Sequence, residues 1–382
     1  MSHTGRPINS IAIIGAGIIG LSCALELAAR GLEVTLYDKA WPPRGASWAA
    51  AGMLAPAFEA ASEPGTHPDL YSLCEASAEQ WPHWAKELEA LSGLPSGYQS
   101  GPSLALATTS AQVDHLESIR ERLSGQTAEP KPCLPDLAMI EPAIRGEVHA
   151  AWILPSDGQV DNRQTLAALI AGMTAHPNIS IQPSAAPLNI RDGKLNHAGH
   201  DATLICAGWG SAAISVEENG ISKDLQSWAG VLGEIKPFGG QMLSVRQIEG
   251  APTKTIRCGH LYIVPKHDRI IIGATTEPGR VITEANPDAI ADLRARAIAI
   301  CPILAQAEVL ATWAGVRPGT VDHAPILGET RQDNLFVAAG HYRNGILLAP
   351  ITAKLMADLI VDENRSDLMR AFAPRARRSA QV

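Results

Sequence analysis

The chain has 382 residues, of which 46% are hydrophobic, and a formal net charge of -8 at pH 7. This length allows roughly two to three domains with substantial cores. A surface with negative net charge has no general attraction for phosphate backbones or anionic lipid. We therefore expect a small-molecule substrate, no nucleic-acid partner and no stable membrane association.

The six cysteines are scattered singly along the chain. Zinc sites and redox dithiols usually need closely spaced pairs such as C-x-x-C, which are absent from this sequence. We therefore expect ordinary thiols in a reducing cytoplasm, and no metal site.

The chain opens with a strand, turn, helix and strand. A β-branched run predicts a strand at 11–14, a helix follows to about residue 29, and alternation predicts a second strand at 33–37. The apolar stretch 11–29 could also be a signal peptide or a membrane span. Three glycines at fixed spacing and the charged Glu26 within it argue against both. We therefore expect a βαβ unit in a soluble, cytoplasmic protein.

Parallel-type strand and helix patterns recur in three separated blocks, and alternating, strand-rich sequence lies between them. Further helices are predicted at about 70–91, 162–175, 287–300 and 347–361, and further strands at 179–181, 204–208, 241–245, 261–264 and 335–339. The predicted fold is α/β. It has a Rossmann-like dinucleotide-binding domain formed by 8–85, 155–228 and 312–371, and an α+β substrate domain built on an antiparallel sheet, formed by 86–154 and 229–311.

The turn after the first strand reads Gly-Ala-Gly-Ile-Ile-Gly, which matches G-x-G-x-x-G between a strand and a helix. Gly15 permits a tight turn, Gly17 lets the backbone approach a diphosphate, and Gly20 allows close packing of the helix on the strand. Ile18 and Ile19 begin the helix whose N-terminus would receive the phosphates. The motif therefore predicts a dinucleotide cofactor.

Asp38 completes this fingerprint, which alone does not separate NAD from FAD, and the segment after it does. Asp38 ends the second strand, about 20 residues beyond the glycines, where a carboxylate would accept hydrogen bonds from the adenosine ribose. Small residues then fill 45–54, where an NAD dehydrogenase would usually continue into more βαβ units. Small side chains let backbone amides approach an extended cofactor, which favours FAD. The candidate contacts in this segment are Ser47, Ala50, Ala51, Gly52 and Met53.

These motifs resemble the FAD-binding segments of the D-amino-acid oxidase family of flavoenzymes, most closely its members that oxidise glycine in thiamine biosynthesis. The resemblance runs from residue 11 to residue 360 and includes the stretches 206–209, 313–320 and 338–350. It implies that FAD is the cofactor and that the protein is a homo-oligomer. The further cofactor contacts that it implies are Gly208, Trp209, His341, Arg343, Asn344, Gly345, Ile346 and Leu347.

The same resemblance implies a substrate site. Arg317, in Gly-Val-Arg-Pro-Gly, matches the arginine that binds the substrate carboxylate, and a planar guanidinium suits that bidentate role. Tyr262 matches a tyrosine that hydrogen-bonds the same carboxylate, and Arg343 matches an arginine that approaches the active site. His260 and His341 are not assigned as bases, because the nitrogen lone pair of a neutral amine can drive loss of hydride from the α-carbon.

The predicted reaction is the FAD-dependent oxidative deamination of glycine to an imine and then glyoxylate, with dioxygen reduced to hydrogen peroxide. Its product would supply thiazole synthesis for thiamine. Three departures from the family pattern leave the substrate open: no basic residue precedes Gly240-Gln241, the ribose-binding acid is Asp38 rather than Glu, and 182–200 is short. The alternatives are sarcosine or a small D-amino acid as substrate, a quinone as acceptor, an NAD-dependent dehydrogenase, or a flavin-binding protein without catalysis.

Overall fold

The computed structural model describes residues 7–61, 65–126 and 129–374, with the side chains of 59–61 left out. Its α-helices are α1 (Ile18–Ala29), α2 (Ala46–Ala49), α3 (Pro56–Ala61), α4 (Leu70–Ser92), α5 (Ser110–Arg122), α6 (Leu137–Ile140), α7 (Asn162–Ala175), α8 (Pro287–Ile300), α9 (Ala349–Asp362) and α10 (Asp367–Ala371). Its strands are β1 (Ser10–Ile14), β2 (Glu33–Tyr37), β3 (Met53–Leu54), β4 (Gln99–Ser100), β5 (Ser103–Ala107), β6 (Lys131–Pro132), β7 (Ala150–Leu154), β8 (Gly158–Gln159), β9 (Ile179–Gln182), β10 (Asn189–Arg191), β11 (Lys194–Leu195), β12 (Ala202–Ile205), β13 (Ser215–Glu218), β14 (Ile221–Asp224), β15 (Lys236–Arg246), β16 (Ile256–Cys258), β17 (Leu261–Pro265), β18 (Arg269–Gly273), β19 (Glu277–Pro278), β20 (Val309–Gly319), β21 (Ile326–Glu329) and β22 (Leu335–Ala339).

The first sheet has the strand order β21-β22-β12-β1-β2-β9, and all its pairs are parallel except β21 with β22. Both of its faces are covered, which is why β1 is a continuous apolar run rather than an alternating one. Ile11 and Ile13 pack into a core shared with α1, α7 and α9. Ile14 packs on the opposite face. This is the Rossmann-like layer that the sequence predicts.

A small sheet of order β11-β10-β13-β14 covers that opposite face. Its first two strands, β10 and β11, come from 182–200, which the sequence indicates as a short strand region but without strand bounds. They have only three and two residues, too few to produce a readable periodic pattern. Ile190 and Val216 carry the packing of this layer against the first sheet.

The second large sheet has the order β19-β15-β18-β17-β16-β5-β7-β6, with β20 paired along β15. It is antiparallel apart from the pair β16 and β5, which confirms the predicted antiparallel sheet. One face packs against α8 through residues such as Leu243 and Ile272. The other face carries Met242 and Tyr262 and packs against the segment that contains α2.

The predicted domain division stays a prediction, and two elements cross its boundaries. Helix α4 continues past residue 85 to Ser92, and Leu88 remains in the core of the first sheet. Strand β20 spans the predicted boundary at 312 and pairs over its length with β15 of the second sheet. The predicted boundaries at 85 and 312 therefore fall inside regular elements, whereas those after 154 and 228 lie outside helices and strands.

Helix α7 begins at the position that the sequence predicts. Asp161 caps α7 by accepting hydrogen bonds from the backbone N–H groups of Arg163 and Gln164. The predicted strand at 204–208 is shorter, because β12 ends at Ile205 and Gly208 begins a 3-10 turn with a φ of 56°. The six cysteines are buried and unbridged. No helix in the described parts of the chain is both long and apolar enough to span a bilayer.

Replacing Gly20 by Ala is expected to destabilise the protein. A Cβ atom there would lie 1.9 Å from the backbone oxygen of Gly15. Alanine favours a helix by about 1 kcal/mol over glycine. The clash outweighs this gain, so we expect a net loss of about 2–3 kcal/mol in the free energy of unfolding.

Urea unfolding of the FAD-free protein measures this loss. Gly230→Ala is the matched control, because a Cβ there would meet no atom within 4 Å. Equal stabilities for the two variants would contradict the packing role of Gly20.

Candidate functional site

A cleft of about 480 Å³ lies between the two large sheets. Its floor on one side is formed where β1 and β2 end, and Tyr262 and Arg317 of the second sheet line the other side. Crevices beyond the carboxyl ends of parallel strands are the usual binding sites of such sheets. The cleft therefore joins the predicted cofactor residues to the predicted substrate residues.

The turn after β1 leaves the backbone bare. Gly15 has a φ of 108°, and a Cβ there would lie 2.5 Å from the carbonyl oxygen of Cys206. Gly17 is the N-cap residue of α1. It has no side chain that could cap the helix, and the first turn of α1 contains no acidic residue. The backbone N–H of Ile18 donates to Ser47 Oγ at 3.0 Å. A helix N-terminus arranged in this way fits an anionic group such as a diphosphate.

Asp38 lies half-buried at the end of β2 and links two segments of the cleft wall. Its Oδ2 accepts from the N–H of Ala16 at 2.7 Å, and its Oδ1 accepts from the N–H of Ala40 at 2.8 Å. Each carboxylate oxygen can accept a second hydrogen bond. The shorter side chain of Asp is thus held in the cleft by the backbone, with capacity left for the hydroxyl groups of a ribose.

The segment from α2 to β3 lines the cleft and is held by its backbone. Gly52 has a φ of 77°, and a Cβ there would lie 2.2 Å from the carbonyl oxygen of Val160. Gly52 O accepts from the N–H of Val160 at 2.7 Å. Asn162 Nδ2 donates to the carbonyl oxygens of Ser47 and Trp48 at 2.8 and 2.9 Å. Small residues are needed here because the backbones approach so closely.

Arg317 extends from β20 over Gly240 in the neighbouring strand. A Cβ on Gly240 would lie 2.4 Å from Arg317 Nη1, which itself donates to the carbonyl oxygens of Gly239 and Thr275 at 3.5 and 3.3 Å. Among the described residues, no carboxylate forms an ion pair with this guanidinium. Position 240 is a glycine, and no basic residue precedes it. This leaves space for the guanidinium of Arg317, which faces the cleft.

Tyr262 lies in β17, directly opposite Gly273 of β18. Its ring covers the bare backbone of Gly273, where a Cβ would lie 2.5 Å from the phenol oxygen. Arg343 follows β22, and its Nη2 donates to Thr276 Oγ1 at 3.2 Å. The structure therefore brings Tyr262, Arg317 and Arg343 to the wall of one cleft.

His341 is 2% exposed, and its Nε2 lies 3.1 Å from Thr352 Oγ1 in α9. Burial lowers the pKa of His341 to about 3. A histidine that is neutral and bonded to a threonine hydroxyl positions the loop before α9. This geometry agrees with leaving His341 without a base role.

Most of the predicted site residues line the cleft. They are Gly15, Gly17, Ile18, Ile19, Asp38, Ser47, Ala50, Ala51, Gly52, Met53, Gly208, Trp209, Tyr262, Arg317, His341, Arg343, Gly345 and Ile346. The three that do not line it are Gly20, Asn344 and Leu347. Their surroundings indicate that these three residues support the walls of the cleft and do not line it.

Each of these three residues has a different supporting position. Gly20 packs against the turn at Gly15. The N–H of Asn344 donates to the carbonyl oxygen of His341 at 2.8 Å. The carbonyl oxygen of Leu347 accepts from Ser77 Oγ and Trp81 Nε1 at 2.6 and 2.8 Å, which ties the loop to α4.

Some cleft residues escaped the sequence analysis, of which Arg257 is the clearest. It lies in β16 directly opposite Tyr262, is 4% exposed, and its guanidinium carbon lies 4.7 Å from the centre of the Phe58 ring. Alternation in a strand would have placed it on the Tyr262 face, but β16 has only three residues. Other cleft residues that the sequence analysis did not assign include Lys39, Arg44, Trp48, Thr276 and Pro318.

The residues present fit a flavin dinucleotide. Bare backbone at Gly15 and Gly17 faces the helix N-terminus, the carboxylate of Asp38 lies beside this turn, and two guanidinium groups also line the cleft. Among the described residues, no group of three or more His, Cys, Asp or Glu side chains could hold a metal ion.

Comparison with known proteins supports this assignment. Residues 10–359 match the family described as FAD dependent oxidoreductase. The bifunctional protein ThiO/ThiG of Synechocystis sp. is 36% identical over 96% of this chain and 54% of that protein, so the chain spans about half its length. Glycine oxidase of Geobacillus kaustophilus is 34% identical over 92% of both chains.

The crystal structure of glycine oxidase from Geobacillus kaustophilus superposes with a TM-score of 0.84 at 30% identity, covering 95% of this chain and 96% of that one. The match to the family model decides between the two dinucleotides in favour of FAD, against the NAD-dependent alternative. The chain belongs to the family of FAD-dependent oxidoreductases that includes these enzymes.

Proposed function

We propose that the protein catalyses the oxidative deamination of glycine. The observation that carries this proposal is that Arg317 and Tyr262 line the same cleft as the glycine turn after β1. Relatives named glycine oxidase support it. In the overall reaction glycine, water and dioxygen give glyoxylate, ammonia and hydrogen peroxide, so that the amine loses two electrons and dioxygen gains them.

The proposed roles follow from charge and shape. Arg317 binds the substrate carboxylate through two parallel N–H groups, and the Tyr262 hydroxyl donates to the same carboxylate. This contact fixes the α-carbon, which is the productive arrangement for transfer of its hydrogen. Bound FAD supplies the two-electron acceptor for that hydrogen. Arg343, held by Thr276, closes the wall beside them.

No side chain is assigned as a general base. His341 stays neutral because burial lowers its pKa to about 3, and its ring nitrogen is bonded to Thr352. Oxidation starts from the neutral amine, whose lone pair stabilises the positive charge that develops on the α-carbon. The imine then leaves for hydrolysis or for a downstream enzyme.

The wider setting is part of the same proposal. The ThiO/ThiG relatives support a role in supplying thiazole synthesis for thiamine. We propose a cytoplasmic homo-oligomer that uses dioxygen, and the named site residues as its cofactor and substrate contacts. Sarcosine or a small D-amino acid is the alternative substrate, since its carboxylate would meet the same two groups. Light scattering of the purified protein tests the oligomeric state.

Anaerobic addition of amines to the purified, flavin-loaded protein tests the substrate. We expect glycine to bleach the visible flavin absorption faster than sarcosine or D-alanine at equal concentration, because the relatives that support the proposal are named glycine oxidase. Readmission of air should restore the colour and release hydrogen peroxide. Absence of bleaching with all three amines would refute the proposal, and faster bleaching by sarcosine or D-alanine would favour the alternative.

Arg317→Lys is expected to raise KM for glycine by about 10–100-fold, because an ammonium cannot form the paired N–H contacts of a guanidinium and a lost charge-assisted bond costs about 1.5–3 kcal/mol. Steady-state peroxide production measures it. Arg246→Lys is the control, since Arg246 is 56% exposed and pairs with Glu308 outside the cleft. An unchanged KM in Arg317→Lys would remove Arg317 from the substrate site.

Tyr262→Phe is expected to raise KM by about 3–10-fold and to change kcat less, because it deletes one neutral hydrogen-bond donor worth about 0.5–1.5 kcal/mol. The same peroxide assay measures both constants. Tyr98→Phe provides the control, since Tyr98 stacks on Trp81 away from the cleft. If both variants behave like the wild type, the phenol oxygen of Tyr262 does not bind the carboxylate.

A further inference from the structure

Lys266 is a buried cation outside the cleft wall, and none of the roles above uses it. It follows β17 and is 6% exposed. Its Nζ donates to the side-chain oxygen of Gln159 at 3.0 Å and to the carbonyl oxygen of Val160 at 2.6 Å. Arg269, at the start of β18, donates from Nη2 to both carboxylate oxygens of Asp161 at 3.0 and 2.9 Å. One hairpin of the second sheet therefore holds residues 159–161.

Val160, which the hairpin holds, and its neighbour Asn162 in turn hold residues 47–53, which we call the cofactor segment. The N–H of Val160 donates to Gly52 O at 2.7 Å, while its carbonyl oxygen accepts from Lys266. Next along the chain, Asn162 donates to the carbonyl oxygens of Ser47 and Trp48. Hydrogen bonds thus run without interruption from Lys266 through Val160 to Gly52, which lines the cleft.

The same hairpin also carries Tyr262, the proposed contact to the substrate carboxylate. Tyr262 lies four positions before Lys266 on β17, and Gly273, beneath its ring, lies on β18. A shift of the hairpin relative to residues 159–161 would move Tyr262 relative to the cofactor segment. A misplacement of about 1 Å between reacting groups can cost about a hundredfold in rate.

An amine at this position is costly to bury, which argues that it has a role beyond filling space. Burial lowers the pKa of Lys266 to about 7. The carboxylate of Asp161, whose charge acts on Lys266, is already engaged by Arg269 and by the cap of α7. An apolar side chain of similar length would avoid the desolvation of the charge.

We propose that Lys266 is a positioning residue that fixes the cofactor segment 47–53 against the substrate-binding hairpin through the backbone of Val160. It acts on FAD binding and on the alignment of substrate and cofactor, not on the reacting atoms. The effect on amine oxidation rests on the proposed function. The effect on FAD binding depends only on the cofactor.

Lys266→Met tests the proposal, because it keeps the length of the side chain and removes its donor. We expect the Kd for FAD to rise about tenfold or more, the fold-change for loss of about 1.4 kcal/mol. In the FAD-saturated variant, the limiting rate constant of anaerobic flavin reduction by glycine should fall about 10–100-fold, with a smaller change in the substrate concentration at half-saturation. Lys266→Arg should recover part of both losses.

Controls separate positioning from folding. Lys354→Met is the matched surface variant, because Lys354 is 53% exposed and pairs with Asp358 on α9. Thermal unfolding of the FAD-free proteins reports the fold itself, and Lys266→Gln is the second variant if Lys266→Met does not fold. FAD affinity and reduction rate within twofold of the wild type, with or without a lower melting temperature, would overturn the proposal. If no amine reduces the wild type, the proposed function fails, while the FAD titration still tests Lys266.

Discussion

The bare backbone where β1 passes into α1, with no side chain between it and the cleft, is the constraint on which the rest of the structure depends. Gly15 and Gly17 face the start of α1, and the α1 N–H of Ile18 is already oriented by Ser47. Ser47 belongs to the segment that lines the next part of the cleft. The turn and the segment therefore have to be placed together, since the one hydroxyl connects them.

The second sheet supplies the opposite wall, and its register explains what that wall contains. Trp313, Met242, Gly273, Tyr262 and Arg257 stand opposite one another across five adjacent strands. Residues directly opposite in neighbouring strands point to the same face. A glycine in the middle of this row leaves room for the tyrosine ring, so the shape of the wall follows from one row of the sheet.

Sequence reasoning succeeded where a local pattern has one physical cause. The glycine turn lies between β1 and α1 as its spacing predicts, and Asp38 directly follows β2. It failed where the cause is not local. Arg257 faces the cleft because β16 pairs with β17, and three residues are too few to reveal which face they occupy.

The surroundings of the residues proposed to bind the substrate could not be predicted from local sequence either. Arg317 was selected by resemblance, because a lone arginine in a sequence is usually exposed. The carbonyl oxygen of Gly239 and the bare Gly240 lie beside it because β20 pairs with β15, and the second carbonyl oxygen comes from Thr275, after β18. Likewise, nothing near Lys266 in sequence indicates that it would reach Val160.

The charges around the cleft form a consistent arrangement. Arg317 and Arg343 are fixed cations that line the cleft, and burial keeps His341 neutral. A fixed cation attracts a carboxylate at every ordinary pH, whereas a titrating group would add a proton equilibrium. The cleft therefore offers two fixed positive charges beside a neutral imidazole. Fixed charges are effective only when they are accurately placed relative to the rest of the cleft. The hydrogen bonds from Asn162 to Ser47 and from Lys266 to Val160 hold the segment 47–53 in its place there.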